Sequence, residues 1–329
     1  MTSLQPSMSS YTKASQKMWF TYSSGSNEFQ RGLLGLKDSY IVGNLCLQFP
    51  ESKPLKAKRI EVLITGAECV SWTQTIGNQV HTYNYKKKIL NQSLLLWESK
   101  GLKEEIYKDI TKINYPFQLS LPNDLPPSMD LGVGLIYYTV KARIIRKSNI
   151  LKFQSSQKKI KCKCLITRYN PMPRPETVRW IEWDNPKALK CGLSYDISMD
   201  YNTFGPNNPI IVKLIVKFLK PNLNVKEIFI GLKEYHKFRA AGNTKKSKRY
   251  IQERKIFGDQ LQVMLNNVWS HNCRIDMQDN EANWTTKRHN INVHHKVKVK
   301  IRFGPFGPKN INLESDVNIM NILRIDQDY

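Results

Sequence analysis

Residues Phe117–Ala142 read FQLSLPNDLPPSMDLGVGLIYYTVKA, and both ends of the stretch alternate. Phe117, Leu119 and Leu121 point one way before Pro122, Pro126 and Pro127 interrupt; Tyr138, Val140 and Ala142 take up the alternation again. A period of two is the pattern of a strand with one buried face. Proline has no N–H to give to a ladder, so the three prolines confine the connection to an edge or a corner. Read locally, the stretch is one hairpin of an all-β domain, folded around a proline-rich corner.

The same pattern recurs along the chain. Ile60, Val62 and Ile64 alternate with Arg59, Glu61 and Leu63; Ile160, Cys162, Cys164 and Ile166 alternate with Lys159, Lys161, Lys163 and Leu165. Later, Val297, Val299, Ile301 and Phe303 alternate with Lys296, Lys298, Lys300 and Arg302. Residues 210–218 and 226–235 read as a second paired unit, with hairpin-loop chemistry between them at residues 219–224. The one helix candidate is Leu102–Ile110, LKEEIYKDI. Many short strands separated by Gly, Pro and Asn clusters point to sandwiches. A chain of 329 residues has room for two domains, and the aperiodic YNPMPRP of Tyr169–Pro175 is the natural boundary. The expected organisation is a disordered leader at 1–17, a sandwich at 18–170, a hinge at 171–185, a second sandwich at 186–320 and a short tail at 321–329.

Charge narrows the partner class. The chain carries 51 Lys+Arg against 27 Asp+Glu, a net +24. Residues 1–170 contribute 25 against 11 and residues 171–329 contribute 26 against 16, so the excess is spread over both halves. Such a protein attracts polyanions: acidic lipid, phosphorylated segments or nucleic acid. No stretch approaches the roughly 18 apolar residues needed to span a bilayer, and the polar, serine-rich start lacks the apolar core of a secretion signal; a cytoplasmic location is expected. The six cysteines are scattered without disulfide or zinc spacing, and Cys162 and Cys164 share one strand face as buried thiols. There is no phosphate-cradling glycine loop and no Gly-x-Ser-x-Gly elbow. His294 and His295 are neighbours that face opposite ways in a strand, while His271 and Cys273 are too few to make a metal site. No catalytic residue, metal or cofactor is expected.

The order of elements resembles the arrestin-like proteins, the α-arrestins more than the visual and β-arrestins. In the first half the resemblance lies in Tyr40–Leu45 (YIVGNL), the Ile60–Ile64 strand, the Phe117–Leu121 strand and the Tyr137–Ala142 strand. In the second it lies in Gly192–Asp196 (GLSYD), Phe204-Gly205-Pro206, Pro209–Phe218, Lys226–Tyr235 and His294–Phe303. It covers roughly residues 18–320 and implies an arrestin fold, two tandem immunoglobulin-like β-sandwiches joined by a short hinge. It also implies non-enzymatic adaptor work: binding the phosphorylated or acidic tails of receptors and transporters, or acidic phospholipid, at the plasma membrane or endosomes. Such adaptors link cargo to endocytosis, trafficking or ubiquitin ligases. α-Arrestins commonly recruit ligases through Pro-Pro-x-Tyr motifs. Here the only Pro-Pro pair is Pro126-Pro127, followed by Ser128 and Met129, so the ligase link is indirect or absent.

Within that frame the anion-binding candidates are Lys141, Arg143, Arg146 and Lys147 with Lys159, Lys161 and Lys163. Lys141 and Arg143 share a strand face, as do Lys159, Lys161 and Lys163. Cations in such a row can engage successive phosphates. Lys245, Lys246, Lys248 and Arg249 follow Ala240–Asn243 and read as a loop tip suited to a lipid surface. Ile322, Leu323, Ile325 and Asp326 loosely resemble a clathrin-box peptide, which makes clathrin a candidate partner. Two other functions stay open: a stoichiometric coat subunit with an arrestin fold, as in retromer, and a nucleic-acid binder. Against the last, the basic residues alternate with apolar ones on strands and no recognisable binding motif is present.

Overall fold

The protein is described by a computed structural model covering residues 17–323 except 101–106, 148–155, 173, 175, 183–189, 191, 206–207, 221–222, 261–266, 278–281 and 306–308. The chain divides into two compact units, Met1–Tyr169 and Asn170–Tyr329.

The first unit contains strands β1 (Met18–Tyr22), β2 (Gln30–Gly32), β3 (Ser39–Gln48), β4 (Leu55–Ile76), β5 (Gln79–Glu98), β6 (Lys108–Ile110), β7 (Lys112–Leu121), β8 (Met129–Asp130), β9 (Gly134–Arg146) and β10 (Gln157–Cys164). One sheet is built on β3, which pairs with β1, β2 and β7; the other runs β10-β9-β4-β5, with β6 on β4 and β8 on β9. The inward positions are those the alternation marks. Ile60, Val62, Ile64, Tyr138, Val140, Ala142 and Ile144 are fully buried from one sheet, and Phe117, Leu119 and Leu121 are buried from the other. Each large side chain removed from water in this way contributes about 1.5–3 kcal/mol before entropy is counted.

Phe117–Ala142 is not a hairpin. β7 pairs with β3, whereas β9 pairs with β4 and β10, so the proline-rich corner carries the chain from one sheet to the other. Both strands face the same core from opposite sides, and their alternation is therefore identical to that of a hairpin. The corner is clasped by Tyr138, whose hydroxyl donates to the carbonyl of Pro126 at 2.6 Å. The Tyr138 ring lies over Gly66, where a Cβ would sit 2.6 Å from the ring. Only glycine leaves room there.

The second unit contains β11 (Asn170–Pro171), β12 (Val178–Glu182), β13 (Leu193–Met199), β14 (Thr203–Phe204), β15 (Ile210–Phe218), β16 (Val225–Ala240), β17 (Asn243–Phe257), β18 (Val268–Ile275), β19 (Thr286–Lys287), β20 (Ile291–Phe303), β21 (Ile311–Ile319) and β22 (Ile322–Leu323). One sheet runs β12-β13-β15-β18 and the other β14-β21-β20-β16-β17, with β19 on β20. A single apolar core draws on both: Ile197, Val212, Leu214 and Val216 from one, Ile228, Ile230, Val297, Val299 and Ile301 from the other. The two halves of the expected second hairpin, β15 and β16, again lie in different sheets.

The true two-residue hairpins lie elsewhere. β4 turns into β5 at Gly77-Asn78, with Gly77 at φ +58°, and β16 turns into β17 at Ala241-Gly242, both at positive φ. These are the turns whose twist suits a hairpin. The expected helix at Leu102–Ile110 is also corrected. Lys108–Ile110 is strand β6, paired with Leu55–Ala57, and Ile110 is buried; sheet pairing outweighs helix propensity here. The remainder of that segment falls mostly outside the described residues. Part of the stretch expected as a hinge, Val178–Glu182, is an edge strand on β13.

Candidate anion-binding faces

Antiparallel pairing sets the geometry of the first face. In the β9/β10 register Lys141 stands directly opposite Lys161, and Arg143 opposite Lys159. Lys163 stands one step further along, opposite Thr139. On the other side of β9, Lys141 pairs with Leu63 and Arg143 with Glu61. These side chains all point away from the core, because Val140, Ala142, Cys162 and Cys164 on the alternate positions are buried. A groove of about 460 Å³ is lined by Leu63, Lys141, Ala142, Arg143, Lys159, Ile160 and Lys161. Four of its seven lining residues are cations.

Like charges opposite each other across a ladder repel. Lys141 records this: partial burial, then the nearby ammonium groups of Lys161, Lys86, Lys88 and Lys159, hold its pKa below the usual lysine value. Lys86 and Lys88 come from β5, so the cationic field reaches across the four strands from β10 to β5. Two carboxylates stand at one end of it. Glu61, buried, accepts from Arg143 Nε at 2.8 Å and from its Nη2. Arg59 Nε makes a charge contact with Glu61 at 2.5 Å, and Arg59 Nη1 lies 3.6 Å from Glu98. Arg143 is thus partly committed, though its side chain is still 39% exposed.

The seven first-unit candidates therefore divide. Lys141, Arg143, Lys159, Lys161 and Lys163 share the face. Arg146 falls on the alternate side of β9, where its charge and that of Lys17 act on Lys158, which sits 4.9 Å over the Phe49 ring. Lys147 lies just past the end of β9. Cys162 and Cys164 are buried thiols, and burial pushes the Cys162 pKa up to about 12.

In the second unit Lys245, Lys246, Lys248 and Arg249 are not a loop tip. They lie in β17, in register with Phe238, Lys237, Tyr235 and Glu234 of β16; the turn is only the two residues before it, so the ladder resumes at Asn243. Alternation sends Lys246 and Lys248 to the outer face with Lys233, Tyr235, His294, Lys296, Lys298 and Lys300. That face is strongly basic and only partly compensated: Lys237 stands opposite Lys246 and Lys233 opposite Lys296, while carboxylates reach its centre. Lys298 is 2.9 Å from Glu314, and Lys296 is 3.7 Å from Glu314 and 3.8 Å from Asp316. Lys233 lies 4.6 Å over the Tyr250 ring and Lys300 5.8 Å over Phe229, contacts with cation–π geometry. Tyr235 is stacked on His294 at 4.8 Å.

Arg249 takes the other side, into a buried polar cluster that the sequence reading missed. Glu234 and His295 are both fully buried, paired in register, with His295 Nε2 3.1 Å from Glu234 Oε2. Glu234 Oε1 is 2.7 Å from His236 Nε2 and accepts from Arg249 Nε at 2.8 Å; its other oxygen accepts from the Asn283 backbone N–H at 2.8 Å. Burial acts to raise this carboxyl, but the bonds from His236, His295, Arg249 and Asn283 outweigh it and hold the pKa well below the usual carboxylate range. The available signal was a carboxylate and a histidine at inward positions of otherwise apolar strands.

Ile322 and Leu323 form a short parallel bridge with Asn170 and Pro171 and are partly buried; Ile325 and Asp326 lie outside the described residues. Among the described residues no group of His, Cys, Asp and Glu is arranged to hold a metal ion, and no helix is long and apolar enough to cross a membrane.

Comparison with known proteins agrees with this architecture. The arrestin (or S-antigen) N-terminal domain matches residues 37–170, and the arrestin (or S-antigen) C-terminal domain matches residues 192–323. No individual curated protein matches the chain. With both domains matched in order and both folded as β-sandwiches, the chain belongs to the arrestin-like proteins.

Proposed function

We propose that this chain works as an arrestin-type adaptor whose first unit docks the phosphorylated or acidic tail of a membrane cargo protein on the β10-β9-β4-β5 face. The observation that carries this reading is the pair of like-charge contacts, Lys141 opposite Lys161 and Arg143 opposite Lys159. A bound phosphate turns that repulsion into charge-assisted hydrogen bonds, which are about twice as strong as neutral ones. Lys163 extends the row along β10, so phosphates or carboxylates spaced along an extended tail meet cations at every second residue. Leu63, which shares the outer face beside Lys141, gives the tail's stem an apolar contact. Bringing such cargo to trafficking machinery at a membrane is the adaptor role that follows.

The test is a fluorescence-anisotropy titration of a doubly phosphorylated peptide and its unphosphorylated twin at two salt concentrations. The phosphorylated peptide should bind at least about tenfold tighter, with the advantage shrinking as salt screens the charges. Equal affinities at matched salt would sink the cargo-tail reading and leave the fold untouched.

A further inference from the structure

The β4–β5 hairpin continues past the sheet that holds it. Pairing of β4 with β9 ends at Val70, yet β4 and β5 remain paired from Ser71↔Asn84 to Ile76↔Gln79. At about 3.3 Å per residue, the free ribbon projects on the order of 20 Å. Isolated two-stranded ribbons are marginal in water, and this one carries an unusual sequence. Cys69–Tyr85, CVSWTQTIGNQVHTYNY, contains no Lys, Arg, Asp or Glu, and no other run in this basic chain is as long.

Its side chains are layered from the tip downward. At the tip Ile76 is 52% exposed and Val80 69% exposed, on either side of the Gly77-Asn78 turn. Thr73, Gln74, Thr75 and Thr82 follow, uncharged and exposed. Below them Trp72, itself buried, stacks on the half-buried Tyr83 at 5.1 Å, with Tyr85, also half-buried, one step further down. The next three residues are Lys86, Lys87 and Lys88, all exposed. Apolar tip, aromatic band and cationic collar are the order in which an anionic bilayer presents acyl chains, interface and headgroup phosphates.

We propose that the β4–β5 hairpin is a membrane-docking device: its Ile76/Val80 tip enters the interfacial zone of an anionic bilayer. Tyr83 and Tyr85 then lie at the headgroup level, with the buried Trp72 bracing Tyr83, and Lys86–Lys88 rest against lipid phosphate. The charge complementarity of the lysine collar selects an anionic bilayer over a neutral one. The missing charges let the ribbon enter without desolvating an ion, which is the main cost of insertion. The tip stands apart from the cargo-tail reading, because Ile76 and Val80 lie outside the β9/β10 groove, whereas Lys86 and Lys88 of the collar belong to the same cationic field.

Full-length protein should co-sediment with phosphatidylcholine vesicles containing phosphatidylserine and much less with pure phosphatidylcholine. The Ile76→Asp/Val80→Asp double variant should lose about tenfold or more of that binding. Its thermal midpoint and its affinity for the phosphorylated peptide should stay unchanged. An Ile76→Trp/Val80→Trp variant should bind the vesicles more tightly than the parent chain. Parent and Asp variant binding the phosphatidylserine vesicles within twofold of each other would overturn the proposal. So would a tip variant that keeps vesicle binding but loses a detergent-solubilised membrane protein, which would assign the tip to a protein groove.

Discussion

On the β10-β9-β4-β5 face of the first unit, Lys141 stands across from Lys161 and Arg143 across from Lys159; on the outer face of the second unit's large sheet, Lys298 stands across from Glu314 and Lys296 across from Asp316. Both faces are rows of lysine alternating with buried aliphatics, and neither is distinguishable from the other by composition. The two lysines at their centres titrate in opposite directions. Lys141 is pulled down, first by partial burial and then by four neighbouring ammonium groups. Lys298 is pushed up, first by its hydrogen bond to Glu314. The number of cations on a sheet face therefore does not locate an anion site. What separates the centres of the two faces is the partner that the register places beside each cation: Lys161 beside Lys141, Glu314 beside Lys298.

The largest effect that would sharpen this contrast lies at Glu234, where the second unit spends its own cations internally. Removing one partner of a buried charged cluster costs about 3–5 kcal/mol. Glu234→Gln should lower the second unit's unfolding free energy by that amount in chemical denaturation, and a loss below about 1 kcal/mol would show the cluster to be slack. The same group sets a pH dependence. Its folded pKa is depressed, so its contribution is complete above the ordinary carboxylate value of 4.5 and is lost as pH falls below that towards the folded value. The parent's thermal midpoint should drop on acidification through that window, and the drop should be smaller in Glu234→Gln.

A smaller effect would sharpen the other side. Glu61 is the carboxylate that occupies Arg143 and Arg59. Glu61→Gln should release Arg143, leave Arg59 with Glu98 alone, and raise affinity for a doubly phosphorylated peptide by about threefold to tenfold. Unchanged affinity would mean that the lysines alone make the face and that Arg143 is a structural pair for Glu61.

Much of this was legible in the alternation. It marked Tyr138, Val140 and Ala142 as core, and it put Lys141 with Arg143, and Lys159 with Lys161 and Lys163, on shared faces. It could not say that Lys141 meets Lys161, because register is a pairing between strands and a single strand's pattern is blind to it. The Glu234–His295 pair was hidden for the same reason, its members standing 61 positions apart in the chain. Nor could alternation tell a hairpin from a crossing between sheets. β7 and β9 line one core from its two sides, so both readings predict the same inward residues. The turns did carry a usable signal: Gly77-Asn78 and Ala241-Gly242 are two-residue glycine turns of the hairpin kind, whereas the six-residue and proline-rich connections are not.

The most direct test sets the two faces against each other in one assay. Lys141→Gln/Lys161→Gln and Lys298→Gln/Lys300→Gln remove the same charge from each unit. Titrated with the same doubly phosphorylated peptide at one salt concentration, the first pair should lose about tenfold or more in affinity and the second less than about threefold. Equal losses, or a larger loss from the second unit, would contradict the proposal that the first-unit face is where this arrestin-like protein holds its anionic partner.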